Sequence, residues 1–149
     1  MELDTTLSES LPLPLPVPGS QQRRVPPNRW GRVNLDHERL DVYHLALDFV
    51  VMANGLIEAL PRGRSHLVDQ FTRASTSIVL NVSEGAGKHS KPDKRRYYLT
   101  ARGSATESAA LLDVCMRLEL IDEARHKAGK DMIVRIVSML IRLAQACEE

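Results

Sequence analysis

Cysteine is nearly absent from this chain of 149 residues. The two present, Cys115 and Cys147, form no CxxC pair and no Cys/His ligand spacing. That excludes a disulfide-built scaffold and a zinc-finger type of metal site, and it fits a reducing cytoplasm. Aromatic residues are scarce at 4%, while hydrophobic residues reach 43%. The apolar stock is therefore mainly Leu, Ala, Val and Ile, which suits helix seams better than a β-sandwich. No run of about 18 apolar residues occurs, so no transmembrane helix and no membrane partner is expected. A secretory leader is not expected either. The first ten residues carry Glu2, Asp4 and Glu9 rather than basic residues, and proline breaks the apolar run that follows. An excess of one charge is also missing. The formal net charge is +1, so only local clusters can argue for nucleic acid.

Proline is distributed unevenly. Six of the eight prolines precede residue 28, and Leu11-Pro12-Leu13-Pro14-Leu15-Pro16-Val17-Pro18 alternates without interruption. Each proline removes an amide donor and restrains its predecessor, so this stretch cannot be helical. Residues 1–36 read as a disordered, Pro-rich, polyproline-like tail, and 37–149 as the folded domain. The tail holds the only tryptophan, Trp30, and its Arg23, Arg24, Arg29 and Arg32 balance its four acids. Either it is a solvated tail, or it is an arm that docks Trp30 on a neighbouring subunit.

From Leu40 the pattern becomes helical, giving four segments. Leu40, Tyr43, Leu47, Val50, Ile57 and Leu60 recur at three- and four-residue steps or their multiples, the mark of an amphipathic seam. Pro61 and Gly63 end that helix. Leu67, Phe71, Ala74, Ile78 and Val82 form the second stripe. Gly85 and Gly87 close it, where a left-handed turn is expected. Ser90 caps a third helix with Pro92 in its first turn, and Tyr98, Ala101, Ala105, Ser108, Leu112 and Cys115 point inward. Asp122 caps the fourth, whose seam is Ile133, Ile136, Val137, Leu140 and Ala144. Short links force antiparallel neighbours, so the fold class is an all-α, up-down-up-down four-helix bundle.

Four-helix bundles can host di-iron centres, and Asp41-Val42-Tyr43-His44, Glu84, Glu107 and Glu123-Ala124-Arg125-His126 supply the residue types. In this topology His44 and His126 begin helices at opposite ends of the bundle. No metal site is therefore expected, and no cofactor. The same geometry separates Cys115 from Cys147 by more than a disulfide can span. The sequon Asn81-Val82-Ser83 lies within a helix and is discounted.

Arg73, Ser77, Asn81 and Glu84 are spaced by four, four and three, so they share one helical face. Gly103, Ser104 and Glu107 occupy one face of the third helix, with Arg102 beside them. Small residues there should let two helices approach. The charged members should pair as a structural network, within the bundle or between subunits, that sets register more than stability. No nucleophile stands with a base, so no catalytic residue is assigned and no enzyme is expected.

These motifs also carry a resemblance. Leu40-Asp41-Val42-Tyr43 through Leu60-Pro61, Leu67 to Ser75, Ser77-Ile78, Asn81-Val82-Ser83-Glu84-Gly85 and Ala101 to Glu107 resemble the four-helix bundle proteins encoded in intervening sequences of bacterial large-subunit ribosomal RNA genes. The likeness covers nearly all of 40–147 and leaves out the Pro-rich tail. Ser83 stands where the family usually has alanine. The resemblance implies a homo-oligomeric ring, commonly a pentamer, with no established enzymatic activity. It also implies kinship with the accessory protein of diversity-generating retroelements, which binds nucleic acid and a reverse transcriptase.

One charge cluster bears on function. Lys88, His89, Lys91, Lys94, Arg95 and Arg96 fall within nine residues at the second loop and the start of the third helix, relieved only by Asp93. Cations there oppose the helix dipole, so stability of that helix does not account for them. Tyr97 and Tyr98 follow and can stack on a base or sugar, Tyr98 being also a core position. Repeated around a ring, the cluster would form a positive rim whose binding to phosphates weakens with salt. Residues 37–149 are nonetheless almost neutral. Of the chain's 20 Lys and Arg and 19 Asp and Glu, the tail takes four of each, leaving 16 against 15. Two functions follow: an accessory protein that binds RNA or DNA backbone through the basic loop, or an interaction scaffold that binds none.

Overall fold

The computed structural model describes residues 35–148, which form one compact unit. The Pro-rich tail and Trp30 lie outside the described residues. A short 3₁₀ turn, Asp36–Arg39, leads into four helices: α1 Asp41–Glu58, α2 Ser65–Ala86, α3 Lys91–Arg117 and α4 Glu123–Ala146. No strand occurs among the described residues. Each helix packs on its sequence neighbour and α4 returns to α1, which closes an antiparallel up-down-up-down bundle. The contacts α2–α3 and α3–α4 are the broadest, and α1–α4 is the narrowest.

The helix boundaries follow from local chemistry. Ser90 has extended backbone and its Oγ accepts from the Asp93 amide, while Pro92 fits the first turn of α3. Asp122 caps α4 by accepting from the Arg125 amide at 2.7 Å. Gly63 in the α1–α2 link has φ +88°, a region that glycine enters without steric cost.

Gly85 and Gly87 do not make the left-handed turn expected of them. Gly87 is right-handed at φ −82°, and Gly85 is a buried residue inside α2. Gly85 serves close packing instead. A Cβ there would lie 2.9 Å from Tyr98 Cε1 and 3.0 Å from Tyr97 Cβ. Gly129 does the same for α4, where a Cβ would meet Leu112 Cδ1 at 2.8 Å. Gly103, by contrast, faces open space and brings no helix closer. The sequence motif placed small residues correctly on α3 but could not tell an inward turn from an outward one.

The seams of α2 and α3 lie where their periodicity puts them. Leu67, Phe71, Ala74, Ile78, Val82, Tyr98, Ala101, Ala105, Ser108, Leu112 and Cys115 are all buried. In α4, Ile133, Ile136, Leu140 and Ala144 are buried and Val137 is half-buried. The seam of α1 differs. Its core face is Val42, Leu45, Ala46, Phe49, Ala53 and Leu56, with Phe49 stacked on Phe71 at 6.4 Å between ring centres. The stripe read from the sequence sits one position round the helix. Leu40, Tyr43, Ile57 and Leu60 only flank the core, Val50 is half-buried outside it, and Leu47 is exposed. The cause is that α1 is apolar on two faces, so periodicity alone cannot choose between them.

Candidate nucleic-acid interface

The end of the bundle where α2 passes into α3 holds the basic cluster. The link is only Gly87–Ser90, so the first turn of α3 lies beside the last carbonyls of α2. Lys94 uses that proximity: its Nζ donates to Ala86 O at 2.7 Å and to Gly85 O at 3.4 Å. A cation is favourable at the negative pole of a helix, and here it adds a donor to the last carbonyls of α2, of which Gly85 O also accepts from the Lys88 amide. Lys94 therefore stabilises the helix before its own. Arg95 points to the end of α4, where Nε donates to Glu148 Oε1 at 2.8 Å and Nη2 lies 2.8 Å from the same oxygen. Lys94 and Arg95 thus each have an acceptor among the described residues.

The other four differ. Lys88, His89, Lys91 and Arg96 have no hydrogen-bond or ion-pair partner among the described residues. Lys88 and Arg96 both lie over the Tyr97 ring, with Lys88 Nζ at 5.0 Å and Arg96 Cζ at 4.8 Å from its centre. Tyr97 is half-buried and Tyr98 is buried, so only Tyr97 can meet a ligand. Burial also raises the Tyr98 hydroxyl above the usual phenol range, with Cys147 a smaller cause. The 3₁₀ turn covers the other flank of this end. His37 packs edge-on to Tyr43 at 4.6 Å, and its Nδ1 lies 3.3 Å from Ser83 Oγ. Asp36, Lys88, His89 and Lys94 line an open cleft between the turn and the second link.

The motif residues of α2 and α3 meet only in part. Ser77 Oγ and Ser104 Oγ are 2.8 Å apart across the helix contact. Asn81 Nδ2 donates to Ser77 O at 2.8 Å and to Ser77 Oγ at 3.0 Å. This small node ties α2 to α3. Arg73, Glu84, Arg102 and Glu107 are all exposed, and none is paired among the described residues. The intrachain form of the expected charged network is therefore not there, because these side chains point away from the α2–α3 contact.

The opposite end has a clasp that the sequence reading did not single out. Asp113 on α3 lies 2.8 Å from His126 Nε2 and accepts from Lys130 Nζ at 2.9 Å through both carboxylate oxygens. The His126 contact, then Lys130, holds the Asp113 carboxyl below its ordinary range. His126 and Lys130 are four residues apart on α4 and so share a face, a spacing that could have revealed the clasp. His44 is bound at the other end, where its Nε2 is 2.7 Å from Glu38 O. The two histidines considered for a metal are therefore held apart. Both cysteines are free, and burial raises the Cys115 thiol above its usual range.

An up-down-up-down bundle with a tight polar node between α2 and α3 is one class of all-α protein. A family model described as the 23S rRNA-intervening sequence protein matches residues 38–142, and the chain belongs to that family. Among solved structures, it is similar to a protein of unknown function from the S23 ribosomal protein family of Bacteroides thetaiotaomicron. The identity is 24%, the match covers 69% of this chain and 97% of that one, and the TM-score is 0.65. That likeness is one of fold. A search of the curated proteins gives no match. No helix among the described residues is long and apolar enough to cross a membrane.

Proposed function

We propose that the chain is a non-enzymatic accessory bundle that meets the RNA or DNA backbone at the α2–α3 end and assembles with copies of itself. The observation that supports nucleic-acid contact is the set Lys88, His89, Lys91 and Arg96, whose side chains have no acceptor among the described residues, with Lys88 and Arg96 over the half-buried Tyr97. Cations held in internal ion pairs would release few counterions from a phosphate backbone, whereas unpaired ones release them freely. The contact is to phosphates, so it is without sequence preference. An anisotropy titration of the full chain against labelled RNA and DNA tests it. Binding at about 50 mM salt that falls steeply by about 200 mM is expected. No binding to either polymer at the lower salt ends this reading.

A second reading, an interaction scaffold that binds no nucleic acid, draws on the outer face of α1 and α2. Val51 is 73% exposed, Leu47 37% and Leu80 63%, and Val50, Ile57 and Val79 beside them are half-buried. A helix apolar on two faces has one face left for a partner. A second copy of the chain is the occupant proposed, and the unpaired Arg73, Glu84, Arg102 and Glu107 would then pair across subunits. Light scattering after size exclusion decides: a monomer at micromolar concentration removes the assembly half of the proposal.

A further inference from the structure

We propose that Tyr97 is a stacking platform that makes this end of the bundle select unpaired nucleotides over duplex. The inference rests on the nucleic-acid reading above and adds the class of polymer. Tyr97 Cβ lies 3.0 Å from where a Cβ at Gly85 would stand, so α3 is pressed against α2 at this residue. The outer part of the side chain stays half-exposed. Two cations whose side chains have no acceptor among the described residues lie over the ring, Arg96 at 4.8 Å and Lys88 at 5.0 Å.

An exposed tyrosine beside unpaired cations offers two kinds of contact at once. The ring and the Arg96 guanidinium present flat faces on which a base can stack, and the ammonium groups meet the phosphates on either side of that base. Lys88 is the more mobile of the two cations, a point charge on a flexible stem. A base that enters over the ring displaces its ammonium toward the adjacent phosphate. Every base has such a face, so stacking tolerates any sequence. In a duplex those faces are already covered by neighbouring bases. With Lys94 and Arg95 committed to Ala86 and Glu148, few cations remain to hold a duplex by its backbone alone. The ring is therefore the element that discriminates.

The test uses the full chain and anisotropy at about 50 mM salt. The probes are a labelled oligouridine of about a dozen nucleotides, the matching oligothymidine, and a duplex of equal length. The single strands are expected to bind about ten-fold more tightly than the duplex. Tyr97→Leu, which keeps apolar bulk but removes the ring, should lose roughly ten-fold on the single strands and nothing on the duplex, with its salt dependence unchanged. Tyr97→Phe should bind as the parent does. Lys88→Met and Arg96→Met should each lower the salt slope by about one, on every probe. Equal affinity for duplex and single strand, or a Tyr97→Leu chain that binds oligouridine as well as the parent, overturns the stacking role and leaves backbone binding standing. Should Tyr97→Leu fail to fold, the single-strand preference and the Phe variant still decide. No binding of any probe overturns both readings together.

Discussion

Gly85 and Gly103 are both glycines inside helices, yet the bundle uses them differently. At Gly85 a methyl group would press on the buried ring of Tyr98 and the base of Tyr97, neither of which can move aside. Gly85→Ala is expected to cost about 1–3 kcal/mol by overpacking, seen as a lower urea midpoint with an unchanged slope. Gly103 has open space around it. Gly103→Ala should stabilise the isolated chain by roughly 0.5–1 kcal/mol through helix propensity, read in the same titration. Asp113 sets a pH dependence of known sign. Its folded-state carboxyl is more acidic than the unfolded one, so its contribution is present above the unfolded value near 4 and is lost as pH falls through the folded one. The carboxyl is half-exposed, which limits the effect to about 0.2–1 kcal/mol. Asp113→Asn should remove that part of the acid limb in a urea series between about pH 5 and 2 while leaving the Ser90 and Asp122 caps intact.

At the scale of the helix, the sequence was legible where one face was apolar and ambiguous where two were. In α2 and α3 the stripes from Leu67 to Val82 and from Tyr98 to Cys115 became the core without revision. In α1 the periodic set Tyr43, Leu47 and Val50 lies outside the core, and the inward set is led by Phe49 and Ala53. Either set is helical in period, so only the position of α2 and α4 decides between them. The basic cluster shows the same limit. Its charges were plain in the sequence, but the partners of Lys94 and Arg95 lie at the end of α2 and just beyond α4, at distances that no spacing along α3 encodes. This gives a discriminating pair of variants. Lys94→Met should destabilise the fold by about 1–3 kcal/mol, because two carbonyls at the end of α2 lose a charged donor. It should leave the salt slope of nucleic-acid binding unchanged, whereas Lys91→Met should lower that slope by about one and leave stability alone.

For the molecule as a whole, the question is what covers the second apolar face of α1. Its stripe continues from Leu47 through Val50 and Val51 to Ile57, and across the groove Thr72 and Thr76 of α2 lead up to Val79 and Leu80. Ile57 and Val79 pack against the edge of the core, but Leu47, Val51 and Leu80 are exposed, while Phe49, Phe71, Ile78, Leu112, Ile136 and Leu140 are already enclosed. A face whose outer residues add little to the core of one chain acquires a physical reason when it packs on another copy. Closed assemblies also need polar groups to fix orientation, and Arg73, Glu84, Arg102 and Glu107 stand unpaired on the neighbouring α2–α3 side. Val51→Glu separates the two roles. The side chain is 73% exposed, so the substitution should change folding stability by less than about 0.5 kcal/mol. In an assembly built on this face it buries a charge without a partner, which is strongly unfavourable. The expected outcome is a parent chain that elutes as an oligomer and a Val51→Glu chain that elutes as a folded monomer with the same helical circular dichroism. Phe49→Ala, two residues earlier on the core face of α1, should do the reverse, losing about 3–5 kcal/mol of stability because it empties the core. A Val51→Glu chain that assembles like the parent would move the interface off α1.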